Sequence, residues 1–142
     1  MKTAIPFWIF FFFVIAGCER EQPLNRGIID CSQCYQVKPE WGRLNVVLTI
    51  NDENPRVPLS IYIGNVEENV LDWQDTAFSK DYWVDVKPDR YYSVKAEYRN
   101  GSKVIFAIDG DEVKLNFTTT DCDQDCFYQS GGHVDVRLMD QP

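Results

Sequence analysis

Short runs of alternating apolar and polar residues follow one another along most of the chain, and turn residues separate them. Alternation with a period of two places every second side chain on the same face of a strand. No stretch shows the period of about 3.6 residues that an amphipathic helix requires. The pattern therefore predicts an all-β domain in which each strand has one apolar face. The seven predicted strands are 44–50, 59–63, 82–87, 92–99, 104–108, 113–119 and 134–138.

Glycine-containing sequences mark three of the predicted connections. Asn100-Gly101 is typical of a tight type I′ hairpin turn, in which both central residues have positive φ. Asp109-Gly110-Asp111 is interpreted as a second turn, and Gly131-Gly132 precedes the last strand. Two packed antiparallel sheets require short strands with one apolar face each. The expected fold is therefore an antiparallel Greek-key β-sandwich of about seven strands.

The segment Val86–Ala96 resembles fibronectin type III and related immunoglobulin-like domains. In those domains a proline ends one strand and a tyrosine opens the next at a corner between the sheets, and Pro88 and Tyr92 match that pattern. The resemblance implies an immunoglobulin-like sandwich in which the Tyr92 hydroxyl bonds to backbone upstream. The segment Val57–Gly64 also resembles the opening of transthyretin-like sandwiches, which are the alternative within the same class.

The N-terminus has the three parts of a signal peptide. Lys2 supplies a positive charge, Ile5–Ile15 is an almost unbroken apolar run, and small residues follow at Ala16-Gly17. Together with Cys18, the last residues of this segment resemble the bacterial lipobox, which implies a lipid on Cys18. A membrane-spanning helix needs about 20 apolar residues, and the run is shorter. We expect a lipoprotein signal peptide at 1–17, a lipid-anchored tether at 18–29 and the β-sandwich at 30–142.

The chain that remains after residues 1–17 is acidic, because it has 13 basic and 22 acidic residues and a formal charge of −9. Without a basic cluster it repels phosphate, which argues against nucleic acid binding. The expected membrane contact is the lipid on Cys18, with palmitate-type acyl chains. In general make-up the chain resembles the small lipoproteins of Bacteroidetes-type bacteria. Glu19, in place of an aspartate after the anchor cysteine, favours the outer membrane of the cell envelope.

Four further cysteines form two closely spaced pairs, Cys31 with Cys34 and Cys122 with Cys126. Two structural disulfides are expected, because an exported protein in an oxidising compartment keeps them. Zinc ligation by both pairs and a redox couple at Cys31-Cys34 are the chemical alternatives. If the pairs bridge each other, two connectivities fit the spacing. Cys31 bonds either to Cys122, with Cys34 bonding to Cys126, or the partners are exchanged.

Candidate metal and catalytic residues are few. Asp121, Asp123 and Asp125 alternate on one loop and are weak candidates for a calcium site. The glycine and the closing glutamate of an EF-hand-type loop are missing there. His133 is the only histidine, no nucleophile motif accompanies it, and it is interpreted as a turn or strand residue. We therefore expect no enzyme activity, no cofactor and no firm metal site.

Several aromatic residues are expected on the surface and could bind a ligand. Alternation places Trp83 and Tyr91 on the polar faces of their strands, with Tyr62 a further case, and Trp41 and Trp73 lie near strand ends or loops. Exposed aromatic rings stack on sugars or anchor protein partners. The expected function is a non-catalytic, lipid-anchored binding or structural module with a protein or glycan partner. Its alternatives are a carbohydrate-binding module using Trp73, Trp83 and Tyr91, and a zinc or thiol-redox protein using the cysteines.

Overall fold

The computed structural model describes residues 30–119 and 122–139, and these residues form eight strands and two short 3₁₀ turns. The strands are β1 (Gly42–Val47), β2 (Val57–Ile63), β3 (Leu71–Ala77), β4 (Asp81–Val86), β5 (Arg90–Asn100), β6 (Lys103–Thr118), β7 (Cys126–Gly131) and β8 (His133–Asp135). The 3₁₀ turns are η1 (Cys31–Gln33) and η2 (Val66–Glu68).

The strands form two sheets, as the alternation predicted. The smaller sheet has the order β4-β1-β8 and the larger sheet the order β3-β2-β5-β6-β7. All named pairs are antiparallel except β1 with β8, which run parallel. The chain crosses between the sheets after β1, β3, β4 and β7, which is the interleaving of an immunoglobulin-like sandwich. The predicted all-β sandwich is confirmed.

Apolar side chains from both sheets fill the space between them. Alternate residues of β1, β2 and β5 point inward and are almost fully buried, which confirms the faces that the sequence pattern predicted. The buried positions include Leu44, Val46, Leu59, Ile61, Tyr92, Val94, Ala96, Tyr98, Val134 and Val136. Their burial supplies the hydrophobic stabilisation that holds the two sheets together.

The corner between β4 and β5 has the geometry that the immunoglobulin-like resemblance implied. Tyr92 is buried, and its hydroxyl donates a hydrogen bond to the backbone oxygen of Lys87 at 2.9 Å. Burial raises the pKa of the Tyr92 hydroxyl. The hydroxyl therefore stays protonated and closes the corner by bonding to the residue five positions upstream.

The predicted turn at Asp109-Gly110-Asp111 is wrong, because β6 runs through it without interruption. The two carboxylates have another role: Asp111 Oδ2 accepts the backbone N–H of His133 at 3.0 Å, and Asp109 Oδ2 accepts that of Asp135 at 2.8 Å. These two carboxylates thus accept the N–H groups on the outer edge of β8. Glycine is needed at position 110 because a Cβ atom would lie 2.7 Å from the backbone oxygen of Tyr92.

The hairpin between β5 and β6 is confirmed, but its turn is displaced by one residue. Asn100 pairs with Lys103, so Gly101 and Ser102 are the central residues. Gly101 has a φ of 60°, whereas Ser102 is not among the residues with positive φ. One positive φ at the first central position is the pattern of a type II′ turn, not of the predicted type I′ turn.

Two strands, β3 and β7, were not predicted. Most side chains of β3 are exposed, and β7 is only partly buried after Cys126. A strand at the edge of a sheet buries too little of one face to show regular alternation. Eight strands therefore replace the predicted seven: two are added, and two predicted strands merge into β6.

Candidate functional site

The outer face of the smaller sheet carries aromatic and polar side chains in register. His133 of β8, Asn45 of β1 and Trp83 of β4 are direct neighbours across the three strands. Arg43 lies opposite Asp85, with 3.7 Å between Nε and the carboxylate oxygen. All five residues come from alternate positions of their strands, because the intervening residues point into the core. The sheet thus presents a flat surface of mixed chemistry.

Two cations lie against the indole rings of this surface. The Lys87 ammonium is 3.6 Å from the centre of the Trp41 ring, and the Arg43 guanidinium carbon is 5.9 Å from that of the Trp83 ring. Each contact is a cation–π interaction that fixes the ring orientation. Trp83 remains 57% exposed. An exposed and oriented indole is suited to bind a flat apolar surface of a ligand.

Two disulfides attach the segment before β1 to β7 and to the bend that precedes it. Cys31 is bonded to Cys122 and Cys34 to Cys126, with Cα–Cα distances of 5.8 and 5.5 Å. The prediction of disulfides is confirmed, and the structure selects the parallel connectivity of the two that the spacing allowed. Cys126 is the first residue of β7, and Cys122 lies in the bend before that strand.

Hydrogen bonds hold the same segment in place. Tyr35 exchanges two backbone hydrogen bonds with Phe127 of β7, at 2.8 and 2.7 Å. At the start of η1, Asp30 accepts hydrogen bonds from the Ser32 hydroxyl at 2.6 Å and the Ser32 backbone N–H at 3.0 Å. These bonds lower the pKa of the Asp30 carboxyl, which therefore remains ionised beside the cysteines.

A cleft of about 810 Å³ is lined both by the outer face of the smaller sheet and by this bridged segment. Its lining includes Arg43 and Trp83 from the sheet, Trp41 just before β1, and Asp30, Gln33 and Tyr35 from the segment. The volume lies within the range of small-molecule sites. The aromatic rings provide apolar faces, while carboxylates, amides and a guanidinium provide donors and acceptors. The arrangement is suited to binding, since polar and apolar groups converge on one space.

Asn45 is the residue of the cleft that most directly indicates a missing partner. Its side-chain oxygen is buried, and within the described part of the chain it accepts no hydrogen bond. A buried acceptor without a partner costs about 1–3 kcal/mol. A ligand in the cleft would recover that free energy by donating a hydrogen bond once the side chain turns its oxygen toward the cleft, because the oxygen itself has almost no accessible surface.

Gln129 of β7 connects the cleft to the start of β1. Its amide accepts the backbone N–H of Arg43 and donates to the backbone oxygen of the same residue, both at 2.7 Å. The chain segments around Gly42 and Gly132 lie very close to their neighbours. A Cβ atom at Gly42 would lie 2.5 Å from the Val113 side chain, and one at Gly132 would lie 2.6 Å from the backbone oxygen of Arg43. Glycine at both positions lets the β1 strand and the β7–β8 connection pack closely.

Of the three aromatic residues predicted to bind a ligand together, only Trp83 lines the cleft. Trp73, on β3, donates from Nε1 to the Tyr82 hydroxyl at 3.2 Å, and Tyr82 donates to Asp75 at 2.8 Å. Burial raises the pKa of the Tyr82 hydroxyl, so it keeps the proton that it donates. Trp73 therefore joins the open edges of the two sheets. Trp73 and Trp83 therefore lie on different parts of the surface.

The other predicted aromatics lie apart from the cleft or play a different part in it. Tyr91 lies on the outer face of the larger sheet, over Gly110. Tyr62 is buried, contrary to the expectation that it is exposed. Trp41, a predicted surface aromatic outside the set of Trp73, Trp83 and Tyr91, lines the cleft. Arg43 and Asn45 lie on the outer face of β1. Extending that alternation by two residues toward the N-terminus would have placed Trp41 on the same face.

The candidate metal ligands do not form a site among the described residues. The one group of three suitable side chains in 30–119 and 122–139 is Cys34, Cys122 and Cys126, whose sulfurs are in disulfides. Asp123 and Asp125 are exposed, and Asp121 lies outside the described residues. Cys18 and the predicted segments 1–17 and 18–29 also lie outside them.

The fold and the cleft define a class of protein, a disulfide-bridged all-β sandwich with a candidate ligand site on its smaller sheet. Comparisons with protein-family models, with curated proteins and with solved structures found no match. Neither 3₁₀ turn in the described residues is long or apolar enough to cross a membrane.

Proposed function

We propose that the protein is a non-catalytic, lipid-anchored binding module of a bacterial cell envelope, held in the outer membrane by a lipid on Cys18. The lipobox-like sequence Ile15-Ala16-Gly17-Cys18 supports the anchor. The two disulfides support an oxidising compartment, because thiols in the cytoplasm are kept reduced. The acidic surface fits a protein whose membrane contact is the lipid alone.

The cleft is the proposed ligand site, and a sugar ring is the proposed ligand. The observation that carries this assignment is the neighbouring placement of the exposed Trp83 ring and the unpartnered Asn45 oxygen. A pyranose has an apolar C–H face that stacks on an indole and hydroxyl groups that donate hydrogen bonds at its rim. Arg43 is paired with Asp85, and the ionised Asp30 also lines the cleft, so the site has no unpaired arginine or lysine that would favour a phosphate.

A glycan array probed with the full chain tests the ligand class. The parent chain should bind at least one glycan, and Trp83→Ala should weaken that binding by about tenfold or more, since loss of a central aromatic anchor has effects of that order. Trp73→Ala is the matched control, because Trp73 is 52% exposed but does not line the cleft. Equal loss in both variants, or no glycan binding by the parent, would contradict the assignment.

The anchor has a separate test. Cys18→Ala should leave an unprocessed or mislocalised precursor, because the acylated thiol is what the lipoprotein peptidase recognises. Detergent partitioning and the mass of the N-terminal peptide measure this. A mature variant that still carries lipid would show that Cys18 is not the anchor.

The thiol and zinc alternatives require the same four sulfurs as free thiolates. The two disulfides support the structural role instead, because they engage all four sulfurs. Stoichiometric zinc in the purified protein, or free thiols at positions 31, 34, 122 or 126 after denaturation, would favour those alternatives.

A further inference from the structure

Three strand edges of this sandwich are covered or distorted. Tyr35 pairs with Phe127 on β7, and the carboxylates of Asp109 and Asp111 accept hydrogen bonds from the N–H groups of β8. The register of β3 is broken by an irregularity opposite Ile61. Such features prevent a sheet edge from pairing with another chain. An uncovered edge elsewhere in the molecule is therefore a candidate site for pairing with another chain.

The first half of β6 is such an uncovered edge. On one side, residues 103–113 of β6 pair with β5. On the other side, β7 pairs only with residues 113–118. No strand within 30–119 and 122–139 pairs with the second side of residues 103–108. This edge therefore has room for another strand.

The backbone groups of Val104, Phe106 and Ile108 point toward the open side. Both the N–H and the C=O of Arg99 bond to Asn54, on the side of β5 away from β6. Arg99 pairs with Val104. In an antiparallel ladder, opposite residues that do not hydrogen-bond to each other point their backbone groups away from each other, so the N–H and C=O of Val104 point away from β5. The Glu112 carbonyl follows the same alternation along β6, because it accepts a hydrogen bond from the Gly132 N–H on the side away from β5.

The same three residues form an exposed apolar stripe. Val104, Phe106 and Ile108 are on one face of β6, and each is about half exposed. Three successive outward positions of a strand without a charge are unusual on the surface of an acidic protein. The stripe and the free backbone groups lie on the same short segment, so one partner strand could satisfy both.

We propose that this edge, Lys103–Asp109 of β6, pairs with the same edge of a second copy of the chain about a two-fold axis at Phe106. In this antiparallel register, Phe106 lies opposite its own copy and Val104 opposite Ile108. Lys103 lies opposite the partner subunit's Asp109, which pairs opposite charges at each end. The dimer gains about six backbone hydrogen bonds, two for each of the three outward pairs. Moving the two-fold axis by one residue, to position 105 or 107, would place Lys103 opposite an alanine or Ile105 opposite an aspartate.

The inference does not depend on the proposed ligand, because β6 residues 103–109 do not line the cleft. A C2 dimer is the commonest closed assembly, and a self-complementary strand edge is one way to form it. The pairing is small, so we expect reversible association that increases with concentration. Copies tethered to one membrane would meet at a raised effective concentration.

Cysteine cross-linking in the full chain tests both the dimer and its register. Opposite residues in a hydrogen-bonded antiparallel pair have Cα atoms about 5.5 Å apart, within the range that a disulfide spans. Phe106→Cys should therefore form a covalent dimer under mild oxidation. Val104→Cys alone should not, because the two copies of position 104 would be about 14 Å apart. The double variant Val104→Cys with Ile108→Cys should cross-link again.

Peptide mapping without reduction identifies the linked residues, and the parent chain under the same oxidant controls for Cys18. Equal cross-linking by Phe106→Cys and Val104→Cys would overturn the proposal, as would cross-linking by neither Phe106→Cys nor the double variant. Preferential linkage through Ile105→Cys would overturn the register at Phe106.

Disruption provides a second measurement that does not depend on added thiols. Phe106→Lys places two cations at the axis and should weaken self-association by on the order of tenfold, measured by sedimentation of the full chain in detergent. Leu71→Lys is the control, because Leu71 is exposed on β3. Circular dichroism confirms that both variants fold. A monomeric parent chain at the highest accessible concentration, or an equal effect of both variants, would contradict the second-copy proposal.

Discussion

Two tyrosine hydroxyls connect β5 to backbone in other parts of the fold. Tyr92 donates to Lys87 at the corner, and Tyr98 donates to the backbone oxygen of Val136 at 2.8 Å while accepting the N–H of Thr49 at 3.1 Å. Both rings are buried, and burial raises the pKa of both hydroxyls. Each hydroxyl provides the hydrogen bond that a buried polar group requires, so the aromatic ring can fill the core without an unsatisfied atom.

Removal of one hydroxyl should separate its hydrogen bond from the packing of its ring. Tyr92→Phe should lower the free energy of unfolding by about 1 kcal/mol or somewhat more, because the ring stays packed and the Lys87 carbonyl loses its donor. Tyr91→Phe should have little effect, since Tyr91 is exposed. Urea unfolding of both variants measures the difference. Equal losses would show that the corner bond contributes nothing beyond the effect of a surface tyrosine.

At the scale of the elements, side chains replace a neighbouring strand where backbone edges have none. The Asn54 amide bonds to both backbone groups of Arg99, and the Gln129 amide does the same for Arg43. The carboxylates of Asp109 and Asp111 accept backbone N–H groups of β8. That strand has only three residues. A strand that short gains little from its own pairing, so its position depends on these carboxylates.

Asp111→Ala should therefore loosen β8 specifically. The variant leaves the His133 N–H without its acceptor, and we expect a loss of on the order of 1 kcal/mol in the free energy of unfolding. Hydrogen exchange at His133 should become faster, while exchange in the β2–β5 pair stays unchanged. Asp111→Asn keeps an acceptor oxygen and should retain most of the protection. Equal exchange at His133 in the alanine variant and the parent would contradict this role of Asp111.

At the scale of the whole molecule, the two disulfides join chain segments that are far apart in the sequence. The bridges span 91 and 92 positions, and both attach the segment before β1 to the start of β7. That segment lines the cleft, so the bridges position one of its sides. They also restrict the unfolded chain, because closing a long loop removes much of its entropy.

The two bridges should act in parallel on stability. The first closes a loop of 91 positions, which the chain-entropy model values at about 4–5 kcal/mol, and the second adds much less because the loop is already closed. Serine at Cys31 and Cys122, or at Cys34 and Cys126, should therefore lower the urea midpoint only slightly. Serine at all four positions should lower it by far more than the two small changes together.

Thiol counting in the same variants checks the connectivity. Apart from Cys18, each matched pair of serines should leave no free thiol after denaturation. Serine at Cys31 and Cys126 should instead leave Cys34 and Cys122 without their native partners. A fully oxidised chain in which each cysteine bonds to its near neighbour would contradict the structure.

The local pattern of residues was sufficient to predict much of the core. Alternation identified the buried faces of β1, β2 and β5, and the proline–tyrosine spacing identified the corner at Tyr92. It failed at β3 and β7, because strands at sheet edges are not buried on a regular face. It also failed at Asp109-Gly110-Asp111, where residues typical of turns serve another strand 22 and 26 positions away.

The amino-acid sequence by itself determined the class of fold, the inward-facing residues and the presence of cross-linkable cysteine pairs, because these depend on properties of near neighbours. Only the tertiary structure decided which cysteines bond, which aromatic residues share a surface and which edges remain open. Trp83 and Trp41 lie at one cleft while Trp73 and Tyr91 lie elsewhere, although all four have similar local patterns. The physical reason is that strand order and register bring distant segments together, and local alternation specifies the face of a strand but not its neighbour.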